Sequence, residues 1–453
     1  MRIDLPKNVR FIIKNLQSAG FDAYAVGGCV RDVLLGRKPN DWDITTNATP
    51  YEVKGLFKRT IDTGIQHGTV TVMLNDEDRN YRGYEVTTYR IDGEYEDGRH
   101  PRSVTFTASL EEDLKRRDFT INAMAYNDRE GLVDIFSGEE DLKEGRIRAV
   151  GDPKERFEED ALRILRAFRF AAQLGFRIDE DTKNAASLLK DNLRKISAER
   201  IQAEFTKLIC SPNPDMIRML YRAGITKVIM PEFDICMETE QRNKHHLYTV
   251  GEHTIVAMMV NARYSKVEFE PDTMRYIRYA LLFHDFGKPG AMTEDENGAR
   301  HFKGHALISE KIAEDIMKRL KMDNETIRYV KALVRWHDHR PEPTKKNIRK
   351  AMSVIGADVY RLLFPIRIAD TLAQSMYKRE EKIAYEKAVM ECYREIIEEG
   401  DPVCVRDLAI DGNDLIEHGY EKGPKIGKKL QELLDLVIED PGCNTKEYLL
   451  SRI

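Results

Sequence analysis

The 453-residue chain lacks the features that mark membrane, disulfide-rich or uniformly basic proteins. No apolar run approaches the ~20 residues that a membrane-spanning helix needs. The six cysteines are scattered without a C-x-x-C pair, so we expect neither a disulfide framework nor a cysteine zinc site. A formal net charge of −5 argues against a globally basic nucleic-acid coat, although local basic patches are compatible with it.

The sequence also lacks internal repeats, low-complexity linkers and the continuous apolar stretch of a signal peptide. Residues 1–21 instead place Val9, Ile12, Ile13 and Leu16 at helical spacing. With 42% hydrophobic and 33% charged residues, the composition is typical of a soluble, helix-rich globular protein. We therefore expect a cytoplasmic protein without a membrane partner, and the length predicts several compact units.

The distribution of periodic segments predicts an α+β fold class, with an α/β head followed by helical domains. Short strand patterns alternate with helical stretches over the first ~135 residues, and helical periodicity prevails beyond them. We expect four domains: a head at 1–138, a helical neck and body at 139–240, a second helical block at 241–390 and a small tail at 391–453.

Two aspartates stand one residue apart in the segment GRKPNDWDITT at 36–46. In a β-strand, side chains two positions apart share a face, so Asp41 and Asp43 would lie together. Two carboxylates at such a distance repel each other unless a basic neighbour or a divalent cation compensates them. Surface turns also contain such pairs, so the neighbouring motifs decide whether this one binds metal.

A glycine pair precedes these aspartates in VGGCVRDVLLG at 26–36. Gly27 and Gly28 follow a strand-like segment and open a predicted helix, whose free N–H groups suit a phosphate. The guanidinium of Arg31 adds a positive charge and several N–H donors beside this turn. A glycine pair alone usually marks a turn, but a phosphate cradle beside a metal pair serves phosphoryl or nucleotidyl transfer.

The segment EEDALR at 158–163 offers a second motif with a chemical interpretation. Asp160 and Arg163 are three residues apart on a predicted helix, where an ordinary exposed ion pair would contribute less than ~1 kcal/mol. Facing a base, the carboxylate would accept from the amino group of cytosine or adenine, and the guanidinium would donate to the ring nitrogen. Uracil and guanine would instead place a carbonyl opposite the carboxylate and a protonated ring nitrogen opposite the guanidinium. Such mismatches reject a substrate strongly.

These motifs, together with RRDFTINAMA at 116–125 and ERFEEDALRILRAFRFAAQLGF at 155–176, resemble the class II tRNA nucleotidyltransferase and bacterial poly(A) polymerase family. The resemblance covers roughly residues 20–235 and is closest to the CCA-adding enzymes. It implies template-independent addition of C, C and A to the 3′ end of tRNA from CTP and ATP, with release of pyrophosphate.

The resemblance also assigns roles to individual residues. Asp41 and Asp43 would be catalytic ligands of Mg²⁺, with Glu85 as a third carboxylate. The nucleotide-binding residues would be Gly27, Gly28, Arg31, Asp32, Arg117, Asp118, Asn122, Asp160, Arg163, Arg166 and Arg169. The segment 90–106 resembles the mobile loop that helps CCA-adding members switch from C to A addition.

Eight of the eleven histidines fall between residues 245 and 339, more than an even spread would place there. Mixed imidazole and carboxylate ligands suit an octahedral Mn, Fe, Ni, Co or Mg ion better than a structural zinc. The motifs LLFHDFGKPG, GEHT, FKGHALIS, RWHDHR and RIADTLAQ resemble an HD-superfamily metal phosphohydrolase domain of the kind that is appended to CCA-adding enzymes and resembles 2′,3′-cyclic phosphodiesterases.

That second resemblance implies a first metal at His253, His284, Asp285 and Asp370. His305 and His337 would hold a second metal, and Lys288 would contact phosphate. Ala306 follows His305 where the pattern has a glutamate, so the sequence departs from the family at the second metal.

RNA binding requires a basic track. Arg166, Arg169 and Arg177 are candidates in the neck. Lys425, Lys428 and Lys429 predict a helix N-terminus that contacts backbone phosphate, although each could be an ordinary solvated side chain. Glu199, Arg200 and Glu204 match the helix that follows in the family, where they either contact substrate or form intrahelical ion pairs.

Three functions compete at this stage: a CCA-adding enzyme, a poly(A) polymerase or A-only adding enzyme with the same head, and an HD phosphohydrolase whose head only binds RNA. The Asp41/Asp43 pair counts against the third, because a binding module has no use for crowded carboxylates. The loop at 90–103 and the lack of a long basic tail favour the first. The sequence does not define an oligomeric state.

Overall fold

The computed structural model describes residues 3–75, 80–93, 104–264 and 269–453. A sheet-bearing head followed by a mostly helical remainder confirms the predicted α+β class. The chain divides into two compact units, Met1–Ile229 and Met230–Ile453. Among the described helices, none combines the length and apolarity that crossing a bilayer requires. All six cysteines are described and each is a free thiol, as their spacing predicted.

The first unit is built around a mixed sheet. The strands of the head are β1 (Ala23–Val26), β2 (Asp43–Thr46), β3 (Thr60–Gly64), β4 (Thr69–Asn75), β5 (Tyr81–Thr88), β6 (Arg90–Asp92), β7 (Val104–Phe106), β8 (Met124–Asn127) and β9 (Gly131–Asp134). Seven of these described strands form one sheet in the order β3-β4-β5-β2-β1-β8-β9, and β6 pairs with β7. Strands β2 and β5 run parallel with Ile44 opposite Val86, so Asp43 and Glu85 occupy adjacent strands at the same level.

Helices cover the sheet and continue beyond it. They are α1 (Lys7–Ser18), α2 (Gly28–Leu34), α3 (Pro50–Leu56), α4 (Leu110–Lys115), α5 (Gly138–Lys143), α6 (Pro153–Glu159), α7 (Leu162–Leu174), α8 (Glu180–Leu189), α9 (Ala198–Ile209), α10 (Ile217–Arg222) and α11 (Thr226–Ile229). Helix α1 buries Val9, Ile12, Ile13 and Leu16, the four residues whose spacing predicted it. The short strands β10 (Arg146–Ile147) and β11 (Arg177–Ile178) pair in parallel among these helices.

The second unit is helical apart from the two-residue strands β12 (Thr293–Glu294) and β13 (Arg300–His301). Its helices are α12 (Pro231–Glu238), α13 (Val250–Tyr264), α14 (Pro271–Phe283), α15 (Lys288–Ala291), α16 (His305–Arg319), α17 (Asn324–Trp336), α18 (Lys345–Ile355), α19 (Ala357–Ala373), α20 (Arg379–Glu399), α21 (Gly412–Glu417), α22 (Pro424–Glu439) and α23 (Lys446–Leu450). Helices α13, α14 and α19 pack together, and α21 to α23 share a small core around Leu415, Leu433 and Leu449.

The helix predicted around Asp160 is interrupted, and part of the loop predicted at 90–106 lies outside the described residues. Asp160 and Arg163 were predicted to lie on one helix, and this is wrong, because α6 ends at Glu159 and Asp160 adopts an extended conformation before α7 begins. Asp160 then accepts a hydrogen bond from the N–H of Leu162 (3.0 Å), which caps the new helix. Residues 94–103, the centre of the predicted mobile loop at 90–106, lie outside the described residues.

Candidate active sites in the two units

Three carboxylates of the head lie near the start of β2, and two of them, Glu85 and Asp41, act electrostatically on the third, Asp43. Asp41 precedes the strand instead of sharing it, Asp43 is its first residue, and Glu85 lies beside Asp43 on β5. All three side chains reach solvent. Burial and then Glu85 raise the pKa of Asp43, Asp41 adds to the rise, and Arg117 opposes it. The predicted carboxylates therefore share one local field, as ligands of a common cation would.

The glycine turn next to them has the predicted geometry. Gly27 has a φ of +81° and immediately precedes α2, and a Cβ at this position would lie 3.1 Å from Nη1 of Arg117. Both the left-handed backbone and the close guanidinium favour glycine here. Arg31 of α2 donates to Oδ1 of Asp32 (2.7 and 2.9 Å) and to Oδ1 of Asn122 (2.6 Å). The turn is thus surrounded by donors, as a phosphate site requires.

A buried polar network extends from Arg31 into α7. The Nδ2 of Asn122 donates to Oδ1 of Asp118 (3.1 Å), and Nε of Arg166 donates to Oδ2 of the same carboxylate (2.8 Å). Burial alone would raise the pKa of Asp118, but Arg166 and Asn122 outweigh it and hold this pKa well below its usual range. The structure therefore brings the predicted residues of 117–122 and of α7 into one cluster.

One aromatic residue at the centre of this cluster was not predicted. Three guanidinium groups lie over the ring of Phe170: those of Arg31, Arg166 and Arg169 are 5.1, 5.4 and 3.8 Å from its centroid. Such cation–π contacts orient cations without neutralising them. The spacing of Arg166, Arg169 and Phe170 on one helix was the signal in the sequence that could have indicated it.

The proposed base-reading pair is not a pair in the structure. Oδ2 of Asp160 accepts from Nη2 of Arg200 (2.8 Å) on α9. Arg163, which is buried, donates to Oε2 of Glu159 (2.6 Å) and to the backbone carbonyl of Arg116 (2.9 Å). The expectation that Asp160 and Arg163 are neighbours on one helix surface is wrong, because the helix break gives each residue a different partner.

The acidic and basic residues of α9 also differ from expectation. Arg200 pairs with Asp160, and Glu204 pairs with Arg169 (Nε to Oε2, 2.5 Å), so these ion pairs join helices instead of lying within one. Arg169 and Glu204 are both buried, which removes Arg169 from the surface that RNA could contact. Arg177 remains exposed, with a 3.3 Å ion pair to Glu144.

The second unit contains a buried histidine–aspartate cluster, formed by all six of the predicted metal ligands. Its members are His253, His284, Asp285, His305, His337 and Asp370. Asp285 lies at the centre: Oδ2 is 3.2 Å from Nε2 of His284 and 3.6 Å from Nε2 of His253, while Oδ1 is 3.2 Å from Nε2 of His305. Asp370 closes one side at 2.9 Å from His253 Nε2, and His337 lies 3.3 Å from His305 on the other.

The hydrogen bonds around this cluster leave its inner atoms available. Nδ1 of His284, His305 and His337 each bonds a backbone carbonyl three residues earlier, at 2.7 to 2.9 Å. Those bonds hold the rings with Nε2 directed into the cluster, the arrangement typical of metal-binding histidines. His284 Nε2 and Asp285 Oδ2 are buried without a hydrogen-bond partner among the described residues. The donor set fits two cations that share Asp285.

The electrostatics of the cluster favour a bound positive charge. Burial disfavours a proton on His284, but Asp285 and Asp370 outweigh it and raise the pKa of His284 to about 10. Burial, then His284 and His305, lower the pKa of His337 to about 3. Lys288 forms an ion pair with Asp285, with Nζ 2.7 Å from Oδ2, and donates a hydrogen bond to Oε1 of the buried Gln241 (2.8 Å). A cation bound among these ligands would replace the proton on His284.

The predicted basic helix end is present in the tail. Helix α22 begins at Pro424, and Lys425 and Lys428 of its first turns are exposed. Lys429 is half-buried and lies 4.0 Å from Glu432. The geometry leaves Lys425 and Lys428 as the candidates for phosphate contact in this segment.

Comparison with known proteins identifies families for most of the chain. The Poly A polymerase head domain matches residues 23–148, the probable RNA and SrmB-binding site of polymerase A matches residues 175–237, and the putative tRNA nucleotidyltransferase domain 2 matches residues 301–453.

Individual relatives agree with these matches. The chain is 35% identical over 431 residues to a CCA-adding enzyme of Lactobacillus helveticus, covering 94% of this chain and 91% of the relative. It is 55% identical over 198 residues to a CCA-adding enzyme of Leuconostoc mesenteroides, covering 44% of this chain and 48% of that one. The crystal structure of the Bacillus stearothermophilus CCA-adding enzyme in complex with CTP superposes with a TM-score of 0.68 at 29% identity, covering 98% and 96% of the two chains.

Proposed function

The chain belongs to the family of the CCA-adding enzymes, and from that premise we propose that Asp41, Asp43 and Glu85 form the metal site at which it acts. As a member, it adds C, C and A to the 3′ end of tRNA from CTP and ATP without a template. The observation that carries the site proposal is that Glu85 and Asp41 act electrostatically on Asp43, which lies opposite Val26, the residue before the Gly27 turn. Oxygen-only ligands of this kind suit Mg²⁺.

The geometry supports a division of roles in the transfer step. The 3′ hydroxyl of the RNA attacks the α-phosphorus of the bound triphosphate, a P–O bond forms, and the bond to the leaving pyrophosphate breaks. Bound Mg²⁺ would lower the pKa of the attacking hydroxyl and neutralise charge on the phosphates. The N–H groups at the start of α2 and the guanidinium of Arg31 hold the triphosphate. Asp32, Arg117, Asp118 and Asn122 position that guanidinium and the nucleotide.

Base selection by Asp160 and Arg163 requires their present partners to be exchanged. Asp160 is held by Arg200, and Arg163 is held by Glu159 and a backbone carbonyl. The amino group of a cytosine or adenine donates to Asp160 in place of Arg200, and the ring nitrogen accepts from Arg163 in place of Glu159. Uracil or guanine supplies the opposite pattern and leaves buried groups unsatisfied.

Extension of a tRNA that lacks its last three nucleotides tests this function. We expect two additions with CTP alone and three with CTP and ATP together, and incorporation of UTP and GTP should be at least ~100-fold slower. Extension with ATP alone would indicate an A-only adding enzyme instead. Asp160→Asn should narrow the discrimination between CTP and UTP, because an amide both donates and accepts.

We further propose that the histidine–aspartate cluster is an HD phosphohydrolase site that opens 2′,3′-cyclic phosphates. Three features support this proposal: the six candidate ligands, the two buried atoms that lack a hydrogen-bond partner among the described residues (His284 Nε2 and Asp285 Oδ2), and the ion pair of Lys288 with Asp285. Water adds to phosphorus, one P–O bond to a ribose oxygen breaks, and that oxygen takes the proton, which leaves a phosphomonoester. Bound Mn, Ni, Co, Fe or Mg would supply the activated water. Such a step would clear damaged RNA ends before nucleotides are added.

Hydrolysis of a nucleoside 2′,3′-cyclic phosphate with each added divalent metal tests the second site. We expect turnover with at least one metal in the full-length protein and its loss in Asp285→Asn. No turnover with any metal, of either this nucleotide or an RNA that ends in a 2′,3′-cyclic phosphate, would leave the cluster a structural role only.

Domain limits and cellular location follow from the same proposal. The boundaries at 1–138, 139–240, 241–390 and 391–453 separate the residues of the transferase, the neck, the hydrolase and the tail. We place the protein in the cytoplasm, where tRNA ends are available as substrate.

A further inference from the structure

The histidine–aspartate cluster forms the floor of a cavity of about 840 Å³, which we call the larger lobe. A second cavity of about 380 Å³, the smaller lobe, shares Asp338, Asp370 and Gln374 with it. A substrate whose phosphate lies on the cluster can therefore extend in two directions. The inference that follows rests on the proposed hydrolase function and concerns which kind of substrate these lobes accept.

The two lobes differ in charge. The larger lobe is lined by five lysines and arginines and by three carboxylates, and two of those carboxylates, Asp285 and Asp370, belong to the cluster itself. The smaller lobe is lined by three basic residues and by four carboxylates. Two carboxylates, Asp338 and Asp370, line both lobes, so the remaining side chains give the larger lobe five basic groups against one carboxylate and the smaller lobe three against two. A polyanion is therefore attracted more strongly to the larger lobe.

Three of the basic residues in the larger lobe have no role at the cluster. Lys303 has no ion-pair partner within the part of the chain that the structure describes. Nζ of Lys244 lies 4.4 Å from the ring centroid of Tyr377, a contact that leaves its charge intact. Arg242 donates to Glu240, but both side chains are more than half exposed, so this pair contributes little and exchanges readily.

The segment that carries Arg242 and Lys244 is fixed over the lobe. Ser375, just beyond α19, donates its N–H to the carbonyl of His245 (2.8 Å) and its hydroxyl to the carbonyl of Lys244 (2.7 Å). Arg242 itself has a φ of +39°, a conformation that costs energy for a residue with a side chain. Strain of this kind persists where surrounding bonds impose it, and both Arg242 and Lys244 line the lobe.

We propose that Arg242, Lys244 and Lys303 bind the phosphodiester backbone of an RNA strand whose terminal phosphate lies on the histidine–aspartate cluster. A free cyclic nucleotide has one phosphate, which the cluster and Lys288 already accommodate. Additional cations that line the approach are useful only if more phosphates follow. The substrate class of this site is therefore the 3′ end of an RNA chain, and free nucleotides are poor substitutes.

Matched substrates and matched variants test the proposal in the full-length protein with the activating metal. The substrates are 2′,3′-cyclic AMP and a short RNA that ends in an adenosine 2′,3′-cyclic phosphate. The variant is Lys244→Gln/Lys303→Gln, and the control is Lys321→Gln/Lys350→Gln, two exposed lysines elsewhere in the same unit. In the wild type we expect kcat/KM for the RNA to exceed that for the nucleotide by about tenfold or more at low salt.

The variant should lose most of that excess while its kcat/KM for 2′,3′-cyclic AMP stays within about twofold, and the control should keep the excess. The salt dependence of the RNA reaction should also fall, by roughly 0.7 in log–log slope for each lost phosphate contact. Equal turnover of both substrates in the wild type would overturn the proposal. An equal loss of kcat/KM for both substrates in the variant would also overturn it, because the two lysines would then contribute to binding of a free nucleotide.

A binding measurement separates this proposal from the proposed function. An RNA with a photoreactive 4-thiouridine next to its 3′-phosphorylated end should crosslink to residues 241–246 or 299–305, whether or not turnover occurs. Hydrolysis of neither substrate, with crosslinks in these segments, would reject the hydrolase and keep the RNA site. Hydrolysis of 2′,3′-cyclic AMP with crosslinks only outside these segments would reject the RNA site and keep the hydrolase.

Discussion

Metal binding at the histidine–aspartate cluster should be visible as thermal stability, independently of any activity. The perturbation is His284→Asn, which removes the imidazole whose Nε2 is buried without a hydrogen-bond partner among the described residues. A ligand present at one hundred times its Kd stabilises the native state by about 2.7 kcal/mol. The second unit spans Met230–Ile453, or 453 − 229 = 224 residues. For that size, each kcal/mol shifts Tm by about 2–4 °C, so we expect a rise of about 5–11 °C.

The assay is a thermal melt of the full chain in a chelator and in Mn²⁺, Ni²⁺, Co²⁺ or Mg²⁺. We expect the full rise in the wild type and little of it in the variant. His301→Asn is the matched control, because His301 lines the same cavity but forms an exposed ion pair with Asp295. Since the metal site proposed for the head is unchanged in all three proteins, the difference between their metal-dependent shifts isolates the cluster. Identical metal-dependent shifts in His284→Asn and the wild type would refute the assignment.

Three further predictions concern the head and the tail. Asp43→Ala should slow nucleotide incorporation by at least ~100-fold in a primer-extension assay, whereas Asp62→Ala, an exposed carboxylate paired with Lys54, should leave the rate unchanged. Because Arg166 and Asn122 lower the folded-state pKa of Asp118, this carboxylate stabilises the fold above its unfolded pKa of ~3.9 and loses that contribution as pH falls further. Denaturant titrations of Asp118→Asn should thus show a shallower loss of stability below that pH, by up to ~1.4 kcal/mol per pH unit. Lys425→Ala/Lys428→Ala should weaken tRNA binding and reduce its salt slope by about 2, which filter binding at several salt concentrations would measure.

Much of the head could be predicted because its signals are local. The strand at 43–46, the glycine turn and α1 each depend on residues a few positions apart, and the structure forms all three. Of the six metal ligands proposed for the second unit, three lie on helices and three, His284, Asp285 and His337, lie in the turns that follow α14 and α17. The sequence nevertheless predicted that they act together, because histidine beside aspartate is rare enough to form a family pattern. Gln241, Gln374 and Phe170 were missed, since nothing distinguishes a lone amide or aromatic residue until its contacts are known.

The partners of Asp160 and Arg163 show where local reasoning ends. Four ionic groups, Glu159, Asp160, Arg163 and Arg200, can pair in more than one way, and only packing of α7 against α9 determines which pairing is formed. Arg163 is buried and the other three groups are partly buried, so each is stabilised by a partner, because an unpaired charge away from water is destabilising. A nucleotide that enters the site therefore has to replace Arg200 and Glu159 as well as fit between the side chains. On the base-reading proposal, selection then acts twice: a wrong base mismatches the pair, and it also fails to compensate the ion pairs that it displaces.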